Sequence, residues 1–227
     1  MKTAILLGAT GLTGGFLLQK LLDDPTYGKV VLFSRSPVAV KDDKIEEHFI
    51  DLFKLEEYGE LFNGDVVYCC IGTTKSKTPN EENYRKIDYG IPVAAARLCK
   101  ENGIPTFEVI SAMGSNPGSK VFYNRIKGEM EEAVLAQNIP KTYIFQPSLI
   151  AGDREEKRVF EDLAKKAMKV LNFVLQGPLE KYRSISPETI ATAMIKVERS
   201  GYPRKRIQSH EIKEIAETDN KPHIKND

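Results

Sequence analysis

Three glycines spaced by three, Gly8, Gly11 and Gly14, sit between a short apolar segment (residues 4–7) and an amphipathic one that begins at Leu12. That order constrains this chain more than any other stretch of it. Gly8 permits a sharp turn after a strand, and Gly11 lets a ligand come close to the main chain. Gly14 allows a helix to pack tightly on the strand before it. The start of that helix offers unpaired N–H groups and a partial positive charge, a ready site for phosphate. Leu12, Phe16, Leu17 and Leu21 form its expected apolar face. A phosphate-binding turn of a dinucleotide fold is the expectation, and a purely structural turn is the alternative.

Downstream, strand-like and helix-like patterns alternate every thirty to forty residues or so, as in a parallel sheet with crossover helices. Strands are expected at 29–34, 47–50, 65–71, 106–111 and 142–146, with helices at 81–102, 120–137 and 187–199. The near-continuous apolar run DVVYCCI marks a central strand covered on both faces. These patterns predict an α/β chain, a single doubly wound Rossmann domain with a mostly parallel sheet and a small C-terminal helical cap. The domain covers 1–216, with 153–216 contributing the cap on the substrate side and 158–175 as its long amphipathic stretch. Residues 217–227 are polar and read as a disordered tail.

Composition narrows the classes further. Lys and Arg number 33 and Asp and Glu 32, so no global charge draws the chain to nucleic acid. Apolar runs of only a few residues exclude a spanning helix. The opening MKTAILLGA passes at once into the glycine turn, so it reads as a strand rather than a leader. Three cysteines, two of them adjacent (Cys69, Cys70), make no disulfide framework and suit a reducing, cytoplasmic compartment. Adjacent strand residues face opposite ways, so at least one of that pair belongs to the core. The three histidines lack metal-ligand spacing.

The second strand runs into Arg35. An acid at that point serves the ribose hydroxyls of NAD, whereas an arginine accommodates the 2′-phosphate of NADP. NADP (as NADPH) is therefore the expected cofactor. Asp51, after the third strand, is placed to reach the adenine edge, and Ile71, Gly72 and Thr73 line the path toward the nicotinamide. Tyr123 and Lys127 lie four apart on one helix and share a face. A nearby ammonium favours phenolate and moves a phenol toward the working range. A Tyr–Lys pair at this spacing arises by chance about once in a chain of this composition, so its place after the fifth strand is what matters.

The turn GATGLTG, Arg35 and the YxxxK pair resemble the short-chain dehydrogenase/reductase superfamily. More closely, FSRS (33–36), CCIGTTK (69–75), YNRIKGEME (123–131) and PSLIAGDREEKR (147–158) resemble its atypical branch of small NAD(P)-binding proteins akin to the Tat-interacting oxidoreductases. The likeness spans about residues 2–199. It implies that Thr10, Gly11, Leu12 and Thr13 hold the pyrophosphate, and Arg35 with Ser36 the 2′-phosphate. Ile150 and Arg158 complete the cofactor site, Tyr123 moves the proton, and Lys127 tunes it and holds the ribose. The superfamily's catalytic serine falls one or two residues beyond Ser111, where this chain has Ala112 and Met113. Either Ser111 or Ser115 substitutes, or the carbonyl-binding hydroxyl is missing.

Three readings follow. The first is an NADP(H)-dependent oxidoreductase acting on a small carbonyl or alcohol. The second is a sugar-nucleotide epimerase or dehydratase, which needs a larger C-terminal lobe. The third is an NADP(H)-sensing regulatory or interaction protein with a protein partner and little turnover. The helix that includes IPVAAARLC is rich in small residues and is a dimer seam in many members of the superfamily, so monomer and homodimer both stay open.

Overall fold

The computed structural model describes residues 1–151 and 184–218. Seven strands make one sheet: β1 (Lys2–Leu7), β2 (Tyr27–Ser34), β3 (Ile45–Phe49), β4 (Val66–Cys69), β5 (Thr106–Ile110), β6 (Lys141–Gln146) and β7 (Arg206–Gln208). Their order is β3-β2-β1-β4-β5-β6-β7, and every pairing is parallel. The chain winds outward from β1 to β3, returns to lay β4 against the other side of β1, and winds outward again. That reversal opens a crevice at the carboxyl ends of β1 and β4, where ligands of such sheets bind.

The helices are α1 (Leu12–Asp23), α2 (Glu81–Arg85), α3 (Ile91–Glu101), α4 (Phe122–Leu135), α5 (Pro187–Ser200) and α6 (Ser209–Glu217). A 3₁₀ segment, Leu52–Leu61, leads from β3 toward β4. Residues alternate across the sheet as the pleat requires. Ala4 and Leu6 enter the core beneath α1, α5 and α6, while Ile5 and Leu7 enter the one beneath the 3₁₀ segment, α3 and α4. All four residues of β4 are buried, as expected for a strand covered on both faces.

Several expectations change. The helix expected at 81–102 is one rod with a wide π turn, Lys86–Gly90, in its middle. Such a turn adds a residue to the rod and re-aims its neighbours. Asp88, within it, is turned fully into the interior. On α1 the buried stripe is Leu17, Leu18, Leu21 and Leu22, which leaves Phe16 43% exposed beside the crevice. The seventh strand had no readable signal, since Ile207 is the only buried residue of its three. Helix α5 packs on α1 and α6, so 184–217 extends the body of the domain. Glu217 ends α6 rather than opening a tail. The amphipathic stretch 158–175 and residues 219–227 lie outside the described residues. Among the described residues no helix is long and apolar enough to cross a membrane.

One buried acid stands apart. Glu108, in the middle of β5, is fully buried, pairs in register with Tyr68 and Tyr143, and neither carboxyl oxygen has a hydrogen-bond partner. Nearby, Lys2 Nζ lies 2.6 Å from Glu198 Oε1, and Tyr27 OH donates to Glu198 Oε2 at 2.9 Å. With its one proton so used, Tyr27 accepts from Tyr68 OH at 2.9 Å. Burial, reinforced by the charge of Glu198, pushes the Glu108 carboxyl well above the ordinary value. A raised folded-state value means the folded chain holds a proton that the unfolded chain loses once pH passes its own, ordinary value. Stability then falls as pH rises from about 4.3, by about 1.4 kcal/mol per unit, until Glu108 itself ionises. Glu108→Gln removes this slope. Urea denaturation from pH 5 to pH 8 is expected to show the variant gaining on the parent chain as pH rises, and parallel profiles would refute the assignment.

Candidate functional site

The glycine turn shapes the floor of the crevice. Gly8 adopts φ +89°, and a Cβ on it would lie 2.9 Å from the carbonyl of Cys70 after β4. A Cβ on Gly14 would lie 2.0 Å from the Gly8 oxygen, far inside contact distance. Both positions therefore exclude side chains, one for its dihedral and its neighbour, the other for its neighbour alone. Gly11 caps α1 without a side-chain hydrogen bond, so the amides of the first turn have no side-chain acceptor there.

Two cavities open on this floor. The first, about 990 Å³, is lined by Gly8, Thr10, Gly11 and Leu12 from the turn, Phe16 from α1, and Arg35 and Ser36 after β2. Asp51 and Phe53 close its far side. The second, about 1010 Å³, is lined by Thr13, Ser111, Tyr123, Lys127 and Ile150 among others. Gly11, Leu12, Cys70, Ile71, Gly72, Thr73 and Lys77 line both, so the two are halves of one cleft. The structure thus gathers every expected site residue around that cleft except Gly14, which works from behind the turn, and Arg158, which lies outside the described residues. Asp51 has an additional local duty, because its Oδ1 accepts from Phe53 N at 3.0 Å and caps the 3₁₀ segment. Arg35 and Ser36 are exposed at the mouth.

A cleft of this size, with uncapped amides at a helix start and a guanidinium at its rim, fits a dinucleotide. The close approaches at Gly8 and Gly14 keep its floor low enough for a pyrophosphate to reach the backbone.

The second half holds the Tyr–Lys pair. Lys127 is buried on α4, and its Nζ lies 2.8 Å from Asp88 Oδ1. Asp88 Oδ2 accepts the Thr73 amide at 2.8 Å, so one carboxylate ties the end of β4 to α4. Burial alone would lower the Lys127 ammonium, but Asp88, aided by Tyr123, holds it above its ordinary value. Tyr123 remains 39% exposed in the same cavity. Its phenol is pushed up by burial, pulled back by Lys127 and pushed up again by Asp88, with a net rise. Lys127 was expected to depress this phenol. Lys127 does pull it down, but burial outweighs that pull and the Asp88 carboxylate adds to the rise, so the free protein keeps Tyr123 protonated.

Ser111 Oγ donates to Glu131 Oε1 at 2.5 Å. Ser115 Oγ lies 3.0 Å from Ser111 Oγ and donates to the Ala112 carbonyl at 2.6 Å. Each hydroxyl has a single proton, so in this arrangement both face a ligand as acceptors only. Glu131 is buried and also receives Gln146 Nε2 from β6 (2.9 Å) and Arg206 Nε from β7 (2.7 Å). Asp88 and Glu131 were missed by the sequence reading. For Glu131 the available signal was a Tyr–Lys–Glu run at four-residue steps, whereas Asp88 is one of several charged residues on its helix.

The Asp88–Lys127 pair also makes a stability statement. Removing either partner strands a buried charge, at a cost of about 3–5 kcal/mol. Asp88→Ala and Lys127→Met are each expected to lower the urea midpoint strongly. The double variant is expected to fall short of the summed losses by about 2 kcal/mol or more, and strict additivity would show that the pair is not coupled.

Comparisons with known proteins agree with this geometry. The model of a family described as NAD(P)H-binding matches residues 8–197. HTATIP2 from Rattus norvegicus is 32% identical over 169 residues, 73% of this chain and 69% of that protein. A mitochondrial protein FMP52 from Meyerozyma guilliermondii is 33% identical over 182 residues, 78% of each chain. Among solved structures, MoeE5 with UDP-glucose and NAD superposes with a TM-score of 0.65 at 15% identity, covering 92% of this chain and 79% of that one. The Bordetella bronchiseptica enzyme WbmH with NAD+ gives 0.66 at 12% identity, covering 92% and 75%. At such identities these two speak for the fold alone. With the glycine turn, the cleft and the Tyr–Lys helix in place, the chain belongs to the NAD(P)H-binding family, as an atypical short-chain dehydrogenase/reductase related to HTATIP2 and FMP52.

Proposed function

We propose that the protein is an NADP(H)-dependent oxidoreductase that interconverts a small carbonyl compound and its alcohol. The observation that carries this reading is the Tyr123–Lys127 pair of α4, open to a cavity continuous with the glycine-turn cleft. The bound nicotinamide would supply or accept the hydride. Thr10 to Thr13 and the start of α1 would hold the pyrophosphate, with Asp51 toward the adenine. Ile71, Gly72, Thr73 and Ile150 would shape the nicotinamide end. Arg35 and Ser36 at the rim support a 2′-phosphate, since a guanidinium pairs with phosphate in a charge-assisted fork. Lys127, kept cationic by Asp88, would hold the ribose and stabilise the phenolate formed when Tyr123 gives up its proton. The Tyr123 phenol, raised above its ordinary value, is protonated in the free protein, and the Lys127 ammonium beside it would favour the phenolate that forms as the proton passes to a carbonyl oxygen.

A second reading, NADP(H) as a regulatory ligand of an interaction protein, draws on Ser111, whose proton is committed to Glu131 rather than to a substrate carbonyl. For location, free cysteines support a reducing compartment such as the cytoplasm, while the FMP52 relatives carry a mitochondrial name.

Two measurements test the proposal. Arg35→Ala is expected to weaken NADPH roughly ten- to hundredfold with little change for NADH, read by cofactor fluorescence. Equal losses would remove Arg35 from the 2′-phosphate. With a carbonyl panel followed at 340 nm, Tyr123→Phe is expected to keep NADPH affinity and lose about two to four orders of magnitude in turnover. Tight NADPH binding without any turnover by the parent chain would favour the regulatory reading.

A further inference from the structure

Beyond the strip shared with the cofactor half, the apolar wall of the second cavity is made by Ile110 at the end of β5, Ala112 and Met113 after it, and Pro147, Leu149 and Ile150 after β6. Leu149 is 63% exposed and lines this cavity, so its aliphatic surface is open to a ligand there. Charged side chains among the described lining residues are Lys77, Asp88 and Lys127. The last two are spent on each other at 2.8 Å, and Lys77 also lines the first cavity. A substrate bearing a diphosphate calls for a cluster of guanidinium or ammonium donors. The described wall instead combines the hydrocarbon of those six side chains with uncharged hydroxyls, those of Thr13, Thr74, Ser76 and Ser148 beside Tyr123 and Ser111, and Ser111 offers acceptor lone pairs alone.

From this arrangement we propose that the second cavity binds an uncharged, apolar carbonyl compound, an aliphatic or aryl aldehyde or ketone without phosphate. Its carbonyl oxygen sits at the Tyr123 hydroxyl and its hydrocarbon part lies against Met113 and Leu149. This inference rests on the oxidoreductase reading and adds the substrate class to it. Burial of each methylene supplies the affinity, so binding strengthens with chain length until the wall ends. Leu149 acts as a specificity-determining residue, because it is the exposed aliphatic surface that such a ligand would cover.

Straight-chain primary amides, from acetamide to octanamide, are unreactive carbonyl analogues suited to the test. They are titrated into the full chain saturated with NADPH, with nicotinamide fluorescence as the readout, and into the chain without cofactor, with the thermal midpoint as the readout. Dissociation constants are expected to fall about two- to fourfold per added methylene through the first several members. Leu149→Asp, at an exposed position, is expected to weaken octanamide about tenfold or more while NADPH affinity stays within about twofold. A flat series in both readouts, unchanged octanamide affinity in Leu149→Asp, or UDP-glucose binding more tightly than octanamide would each overturn the proposal. Failure of NADPH to bind would instead strike the cofactor reading, and the thermal series would still report on the cavity by itself.

Discussion

The backbone of the first turn comes closer to its neighbours than any side chain would permit, and the site depends on that approach. With 2.0 Å from a would-be Gly14 Cβ to the Gly8 oxygen, α1 is drawn against the end of β1. With 2.9 Å from a would-be Gly8 Cβ to the Cys70 carbonyl, β4 is drawn against the same turn. Strand, helix and second strand thereby meet at one point, which is also where the winding of the sheet reverses. The cleft is a consequence of this meeting, since strands that diverge from a common turn leave their carboxyl ends open between them.

A second constraint organises the other half of the cleft. The π turn carries Asp88 inward, where it accepts the Thr73 amide and pairs with Lys127. A lysine on the face of α4 is unremarkable in sequence. Buried beside a carboxylate, it becomes a cation held in one place, and a buried cation must have such a partner to be tolerated. Burial outweighs the pull of Lys127 on the Tyr123 phenol and the same carboxylate adds to the rise, so protonation there follows from burial and two charges together.

Two further buried acids illustrate how differently one residue type is used. Glu131 accepts hydrogen bonds from Ser111, Gln146 and Arg206 and joins the ends of β5, β6 and β7 to α4. Glu108 collects none, and burial drives it toward its neutral form inside the opposite core. A buried carboxyl without hydrogen-bond donors is driven toward its neutral form, because nothing replaces the water that its charge has lost.

The glycine turn, the alternation of strands and helices, and the Tyr–Lys helix were legible in the residues because each is a local pattern. Glycine spacing, apolar period and i,i+4 placement are properties of a few consecutive positions. The residues lining the cleft could be listed for the same reason, as they follow the ends of strands that the patterns locate. Harder to see were β7, with one buried residue, the exposure of Phe16, and the π turn that aims Asp88. These depend on which faces other elements cover, and packing of that kind joins residues far apart in the chain. Asp88 is 39 positions from Lys127, and Arg206 is 75 from Glu131. The chain's order of amino acids was enough to establish a dinucleotide-type sheet and where the turns at its strand ends fall. Which acids pair, which hydroxyls keep a proton to give, and what remains exposed at the cleft followed from folding, because electrostatics and burial act through space and not along the sequence.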